Sequence, residues 1–155
     1  VQGVDALVVG AGGVGSAIAA SLVAAGVGSL GLFDSKHASA QALAARLKAH
    51  YPGLCVRTGS SDPAGFGLVV NATPLGMNDA DPLPVDVSRL EPEAFVGEVV
   101  MKRERTAFVE AASARGCQIQ VGSDMLFEQI PAYLEFFGFA TTTPENLRAV
   151  AQLSY

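Results

Sequence analysis

ALVVGAGGVG, Ala6 to Gly15, carries the change from an apolar strand to a helix through a glycine-rich bend. Leu7, Val8 and Val9 form the unbroken apolar run expected of a strand covered on both faces. Gly10, Gly12 and Gly15 follow as G-x-G-x-x-G. Each glycine answers a separate mechanical demand: Gly10 allows the tight turn, Gly12 lets the backbone approach a pyrophosphate, and Gly15 lets the helix lie close against the strand. The first amides of such a helix have no intrahelical partners and sit at its positive end, where an anion is favoured. Glycine-rich turns are common, so the motif takes its meaning from its surroundings. Strand, turn, helix, second strand and acidic residue come here in that order, which reads as a dinucleotide site rather than a merely structural turn.

Outward from that stretch, Val14 to Ala25 has a small, helix-favouring composition, with Gly26 as its stop. Ser29 to Phe33 reads as a second strand ending at Asp34, and Ser39 to His50 as an amphipathic helix with Leu43 and Leu47 four apart. Pro52 and Gly53 break it before a third strand, Leu54 to Arg57. Leu68 to Val70 is a fourth strand running into NATPLGM, Asn71 to Met77. A fifth strand is expected over Phe95 to Met101, a helix over Thr106 to Arg115 closed by Gly116, and a sixth strand over Cys117 to Val121. Ser123 to Phe137 should be a long helix capped by Ser123, kinked by Pro131 near Phe127 and ended at Gly138. Pro144 to Leu153 reads as a short terminal helix.

Strands alternating with helices imply an α/β fold, a Rossmann-type doubly wound parallel sheet in three layers with right-handed crossovers. Residues 1–140 are expected to form this domain. Residues 141–155 would pack on it or on a further domain. Ligands on such sheets bind beyond the carboxyl ends of the strands, at the point where strand order reverses. The glycine turn, Asp34, Asn71 to Met77, Val99 to Met101 and Gly122 all fall at such ends.

The 155 residues suit a single domain, and with half of them hydrophobic and only 16% charged the chain is not disordered. A net charge of −5 argues against a nucleic-acid surface. No apolar run approaches the ~18 residues of a membrane helix and no basic-then-apolar leader is present, so a cytoplasmic protein without a membrane partner is expected. The chain begins almost directly on a core strand, which suggests that a segment upstream has been left out. Cys55 and Cys117 show no metal-ligand spacing and read as small buried hydrophobes in a reducing compartment. His37 and His50 read as solvated residues, and no metal is expected.

Asp34 stands where an acidic residue accepts hydrogen bonds from the adenosine ribose. A 2′-phosphate there would meet a like charge, and at ~4 Å with an effective dielectric near 20 the repulsion is about 4 kcal/mol before screening. NAD is therefore expected over NADP. The bland alternative, that Asp34 only caps the following turn, stays open, and Lys36 and His37 are close enough to leave some NADP binding.

At NATPLGM the reading narrows. With GAGGVG before it and GSDMLFEQ, Gly122 to Gln129, after it, the chain resembles the cofactor domain of the shikimate/quinate dehydrogenase family over essentially its whole length. The resemblance implies two domains, of which this chain is the second. It also implies reversible hydride transfer between a nicotinamide and the carbon bearing a ring hydroxyl of shikimate, quinate or a similar small molecule. It places the phosphates on Gly10, Ala11, Gly12, Gly13 and Val14, beside Gly15, with Asp34 and Ser35 near the ribose. It lays Asn71, Ala72, Thr73, Pro74 and Leu75 along the cofactor, with Val99, Gly122 and Met125 near the nicotinamide. Gln129 matches the family's substrate-binding glutamine. Core packing for Met125 and a solvated place for Gln129 remain the alternatives.

Three departures matter. NADP-using members resemble Asn-Arg-Thr-x-x-Arg after the second strand, whereas DSKHAS here puts Ser35 and Ser39 at the arginine positions, again pointing to NAD. Met101 replaces a tyrosine that contacts substrate, which removes a hydroxyl donor and leaves the substrate's identity open. The family's catalytic lysine and aspartate belong to the substrate domain, so no catalytic residue is assigned here. Lys102 to Arg105 reads as a solvated helix start, and neither Lys102, Glu98 nor Asp124 is taken as a proton-transfer group. The missing N-terminal domain is the expected partner, and a homodimer is possible. A non-catalytic NAD-sensing module is the alternative function. A methyltransferase using S-adenosylmethionine also fits the first turn, but not NATPLGM or the second turn at Gly122.

Overall fold

The computed structural model describes residues 1–152. Six strands form one parallel sheet in the order β3-β2-β1-β4-β5-β6: β1 Asp5–Val9, β2 Ser29–Phe33, β3 Cys55–Thr58, β4 Leu68–Asn71, β5 Phe95–Glu98 and β6 Gln118–Gln120. Five α-helices accompany it: α1 Gly13–Ala24, α2 His37–His50, α3 Ala107–Ala114, α4 Gly122–Phe136 and α5 Pro144–Val150. Strand order reverses between β1 and β4, which pair Val8 with Val70 and Val9 with Asn71. This is the Rossmann-like α/β fold expected from the alternation.

The apolar run of β1 is continuous because both of its faces are covered. Ala6 and Val8 join Leu30, Leu32, Ala19, Val23, Leu43 and Leu47 in a core on one side. Leu7 and Val9 join Phe66, Val69, Val96, Phe108 and Ala112 on the other. Side chains alternate across a strand, so one short segment seeds two cores.

Several elements differ from the sequence reading, each for a local reason. β5 stops at Glu98 rather than Met101, because the Glu98 carboxylate accepts the amides of Val99 and Val100 and draws them off the ladder. The run Lys102 to Arg105 is not a helix start. Arg103 pairs with Asp79 and Arg105 with Glu110, and α3 begins after Thr106, whose hydroxyl accepts the Val109 amide. The N-cap of α4 is Val121, so Ser123 lies inside the helix, buried. α4 runs through Pro131 as a single helix. Cys117 is buried as expected, but Cys55 is exposed, because β3 is the edge strand. His37 and His50 are both exposed. The terminal helix ends at Val150; the expected end at Leu153, with the rest of the 141–155 segment, lies outside the described residues. Among the described residues no helix is long and apolar enough to cross a membrane.

Candidate functional site

The glycine turn divides into two locked positions and two open ones. Gly10 has φ 107°, and its N–H donates to the Phe33 carbonyl at 2.7 Å, tying the turn to the end of β2. A Cβ there would come within 2.6 Å of the Ala72 carbonyl oxygen, and one on Gly15 within 1.9 Å of the Gly10 carbonyl oxygen. At Gly12 and Gly13 an added Cβ would meet nothing within 4 Å. Ser16 N–H donates to the Gly12 carbonyl at 2.8 Å as the first helical rung, so the amides of Gly13, Val14 and Gly15 precede the ladder. α1 has no side-chain cap and no acidic residue in its first turn, whereas Thr106 and Thr143 cap α3 and α5, with Glu110 and Glu145 behind them. Its positive end is left for something other than the protein's own side chains.

Asp34 serves this turn directly. One carboxylate oxygen accepts the Ala11 N–H at 2.8 Å and the other accepts the Lys36 N–H at 2.8 Å. The Ala11 hydrogen bond holds the carboxyl below the usual aspartate value, partly opposed by burial. The stabilisation is therefore fully present above the unfolded pKa and is lost as pH falls through the lowered folded one. Each oxygen retains a lone pair, so bracing the turn leaves Asp34 able to accept further hydrogen bonds. Ser35 follows it, exposed.

Across the switch point a buried polar cluster shapes the loop after β4. Asn71 is 0% exposed and its amide donates to the Leu75 carbonyl at 3.0 Å and to Glu98 Oε1 at 2.9 Å. Its oxygen accepts the Thr73 N–H at 3.1 Å and the Thr73 hydroxyl at 2.6 Å. Asn71 therefore does not face the cleft; it folds the chain that does. Glu98 Oε1 also accepts Val99 N–H at 3.1 Å and Val100 N–H at 3.3 Å, while Oε2 accepts the Thr106 hydroxyl at 2.8 Å. Burial pushes the Glu98 carboxyl above its ordinary value, opposed by these hydrogen bonds. The sequence reading passed over Glu98 as a participant. Its signal was a lone acidic residue inside the apolar run FVGEVVM, at the end of a central strand.

α4 supplies the far wall. A Cβ on Gly122 would sit 2.2 Å from the Val100 carbonyl oxygen, so the second glycine turn lies tight against the end of β5. Met125 and Gln129 share a groove of about 620 Å3 with Gly13 and Val14. Met125 also lines an adjoining apolar cleft of about 330 Å3 with Glu98, Val99 and Gln120. The Tyr133 hydroxyl donates to Gln129 Oε1 at 3.2 Å. Ala72 and Thr73 abut Gly10, whereas Pro74 is exposed, Leu75 turns toward a small hollow beside Phe108, and Met101, 47% exposed, lines neither groove nor cleft. Among the described residues no cluster of histidine, cysteine or carboxylate groups could hold a metal.

Known proteins match this arrangement at three levels. The ThiF family model matches residues 2–57, the segment from β1 into β3. A shikimate dehydrogenase (NADP(+)) from Afipia carboxidovorans is 36% identical over 154 residues, covering 96% of this chain and 54% of that protein. Over nearly its whole length the chain is thus similar to one half of a shikimate dehydrogenase. Among solved structures, quinate dehydrogenase from Corynebacterium glutamicum in complex with NAD superposes with a TM-score of 0.83 at 33% identity, covering 96% of this chain and 54% of that one. The shikimate 5-dehydrogenase of Thermus thermophilus in complex with NADP(H) and shikimate gives 0.78 at 29% identity, over 93% of this chain and 52% of that one. The chain spans about half the length of the proteins it matches.

Proposed function

We propose that this chain is the dinucleotide-binding half of a nicotinamide-dependent dehydrogenase acting on shikimate, quinate or a closely similar cyclic polyol acid. The observation that carries the reading is the split within one turn: Gly10 and Gly15 are fixed by backbone contacts, while Gly12 and Gly13 open onto an uncapped helix N-terminus. That is the space a pyrophosphate needs, with amides aimed at it. The adenosine half would lie toward Asp34 at the end of β2, and the other half would cross the switch point to the ends of β4 and β5. When bound, the nicotinamide supplies the hydride acceptor or donor. Gly10 to Gly15 would hold the phosphates, the 72–75 loop would flank the dinucleotide, and Gln129 would reach the substrate from α4.

The reading takes residues 1–140 as the dinucleotide domain and assigns proton transfer to a second domain that this chain does not contain. Tyr133, Phe136, Phe137 and Phe139 are left exposed around the end of α4, an apolar patch suited to such a neighbour. Mixed with NAD and shikimate, the 155-residue chain is expected to give no NADH absorbance; robust turnover would contradict this division of labour.

NAD is the proposed cofactor, since the Asp34 carboxylate remains charged at the end of β2 with exposed serine beside it. Calorimetric titration of the chain should show saturable NAD binding at least ten-fold tighter than NADP. Equal or tighter NADP binding would overturn the preference, and binding of neither would remove the dinucleotide reading. Asp34→Asn should narrow the NAD-to-NADP gap by roughly five-fold, the equivalent of about 1 kcal/mol of relieved repulsion. An unchanged ratio would show that Asp34 only braces the turn.

A further inference from the structure

Glu98 is 3% exposed, ends a central strand, and takes no part in the function just proposed. Its four hydrogen-bond partners all donate. Asn71 must present its NH2 group, because its oxygen already accepts from Thr73 twice. Thr106 Oγ accepts the Val109 amide at 3.3 Å, so its own proton is free to go to Glu98. The other two donors are the backbone amides of Val99 and Val100, which cannot reverse. A protonated carboxyl could give its O–H only to Thr106 Oγ, and the Thr106 proton that now goes to Glu98 would then lose its acceptor, so the cage favours the anion. Among the described residues no Lys, Arg or His forms an ion pair with it. The result is a buried negative charge balanced by dipoles alone, on the wall of the cleft that Val99 and Met125 line.

We propose that Glu98 is an electrostatic residue that favours the oxidised over the reduced nicotinamide in this cleft. The inference rests on the dinucleotide reading above, in which the nicotinamide half lies over the ends of β4 and β5. The oxidised ring carries a positive charge and the reduced ring carries none, so a fixed anion nearby stabilises one and is indifferent to the other. A water-excluding wall strengthens that difference relative to bulk solvent. The same carboxylate holds the Val99 and Val100 backbone in place, which links the charge to the shape of the wall.

The test is titration of the 155-residue chain with NAD and with NADH at pH 8 for the wild type, Glu98→Gln and Glu98→Asp. Glutamine keeps the shape and an acceptor oxygen, and its NH2 can donate to Thr106 Oγ. It should weaken NAD roughly five-fold while leaving NADH unchanged. Aspartate keeps the charge on a shorter stem, so it should preserve the ratio of the two affinities even where it weakens both. Equal losses for both forms in Glu98→Gln, or the same altered ratio in Glu98→Asp, would reduce Glu98 to a structural brace. If Glu98→Gln fails to fold, the wild-type chain decides: its NAD-to-NADH affinity ratio should fall as acid protonates Glu98, and a ratio that stays constant overturns the proposal. Wild-type binding with an unmoved ratio in Glu98→Gln sinks this inference alone, whereas no wild-type binding of either form sinks the dinucleotide reading and this inference with it.

Discussion

Gly15→Ala is expected to lower the melting temperature of the chain by roughly 6–12 °C, whereas Gly12→Ala should lower it by only about 2–4 °C and still abolish most dinucleotide binding. The Cβ added at position 15 would fall 1.9 Å from the Gly10 carbonyl oxygen, and the obstacle is backbone. α1 would have to move away from β1, disturbing the contacts of Ala19 and Val23 with Val8 and Leu30. Overpacking of this kind costs about 3 kcal/mol. At position 12 nothing lies within 4 Å, and the φ of −73° is open to alanine. Glycine is preferred to alanine at an N-cap, so the exchange still costs about 1 kcal/mol, well below the cost at position 15. The methyl would instead occupy the approach to the helix amides, so affinity for NAD should fall at least ten-fold, measured by calorimetry beside a thermal melt. If Gly12→Ala binds NAD as the wild type does, the turn is structural. If Gly15→Ala melts normally, the close approach of α1 to β1 does not limit stability.

These two positions also show why so much was legible in advance. Glycine spacing reports backbone geometry, and backbone geometry is local, so the roles of Gly10 and Gly15 follow from order along the chain. The parallel sheet was equally legible, because β-branched runs separated by helical segments admit few connections once crossovers are right-handed. The ends of elements were less so. β5 ends early because one side chain captures two amides, and the N-terminal turn of α4 begins at Val121 with no side-chain cap. Both depend on where a side chain turns in three dimensions, which spacing does not encode. Exposure of Cys55 depends on sheet order, since the edge strand is known only once the order is. Asn71 was singled out through the NATPLGM pattern as part of a cofactor loop. Its burial, and its partnership with Glu98 across 27 residues, became visible only when β4 and β5 were paired.

That partnership gives the second large expectation. Asn71→Asp changes almost no volume but replaces the NH2 that faces Glu98 Oε1 at 2.9 Å and the Leu75 carbonyl at 3.0 Å with an oxygen. Two carboxylates then face each other in a site where burial already raises the pKa of one. Like charges that close cannot both ionise, so the folded pair must retain a proton that the unfolded chain releases near pH 4. The folded state binds the extra proton, and stability therefore falls as pH rises above the unfolded pKa, by at most about 1.4 kcal/mol per pH unit until the folded pair titrates. Asn71→Asp should thus melt closer to the wild type at pH 5 than at pH 8, where the loss reaches roughly 3 kcal/mol or more. Asn71→Leu provides the contrast: it strands the Leu75 carbonyl and the Thr73 amide at a comparable cost, but adds no second carboxylate to share a proton with Glu98. Losing the Asn71 donor also raises the Glu98 carboxyl a little, so the gap between Asn71→Leu and the wild type should widen with pH, but less than that of Asn71→Asp. A gap for Asn71→Asp that stays constant from pH 5 to 8 would mean that the two carboxylates move apart or reach water. The loop from Ala72 to Met77 would then be far less tightly held to the end of β5 than its hydrogen bonds indicate.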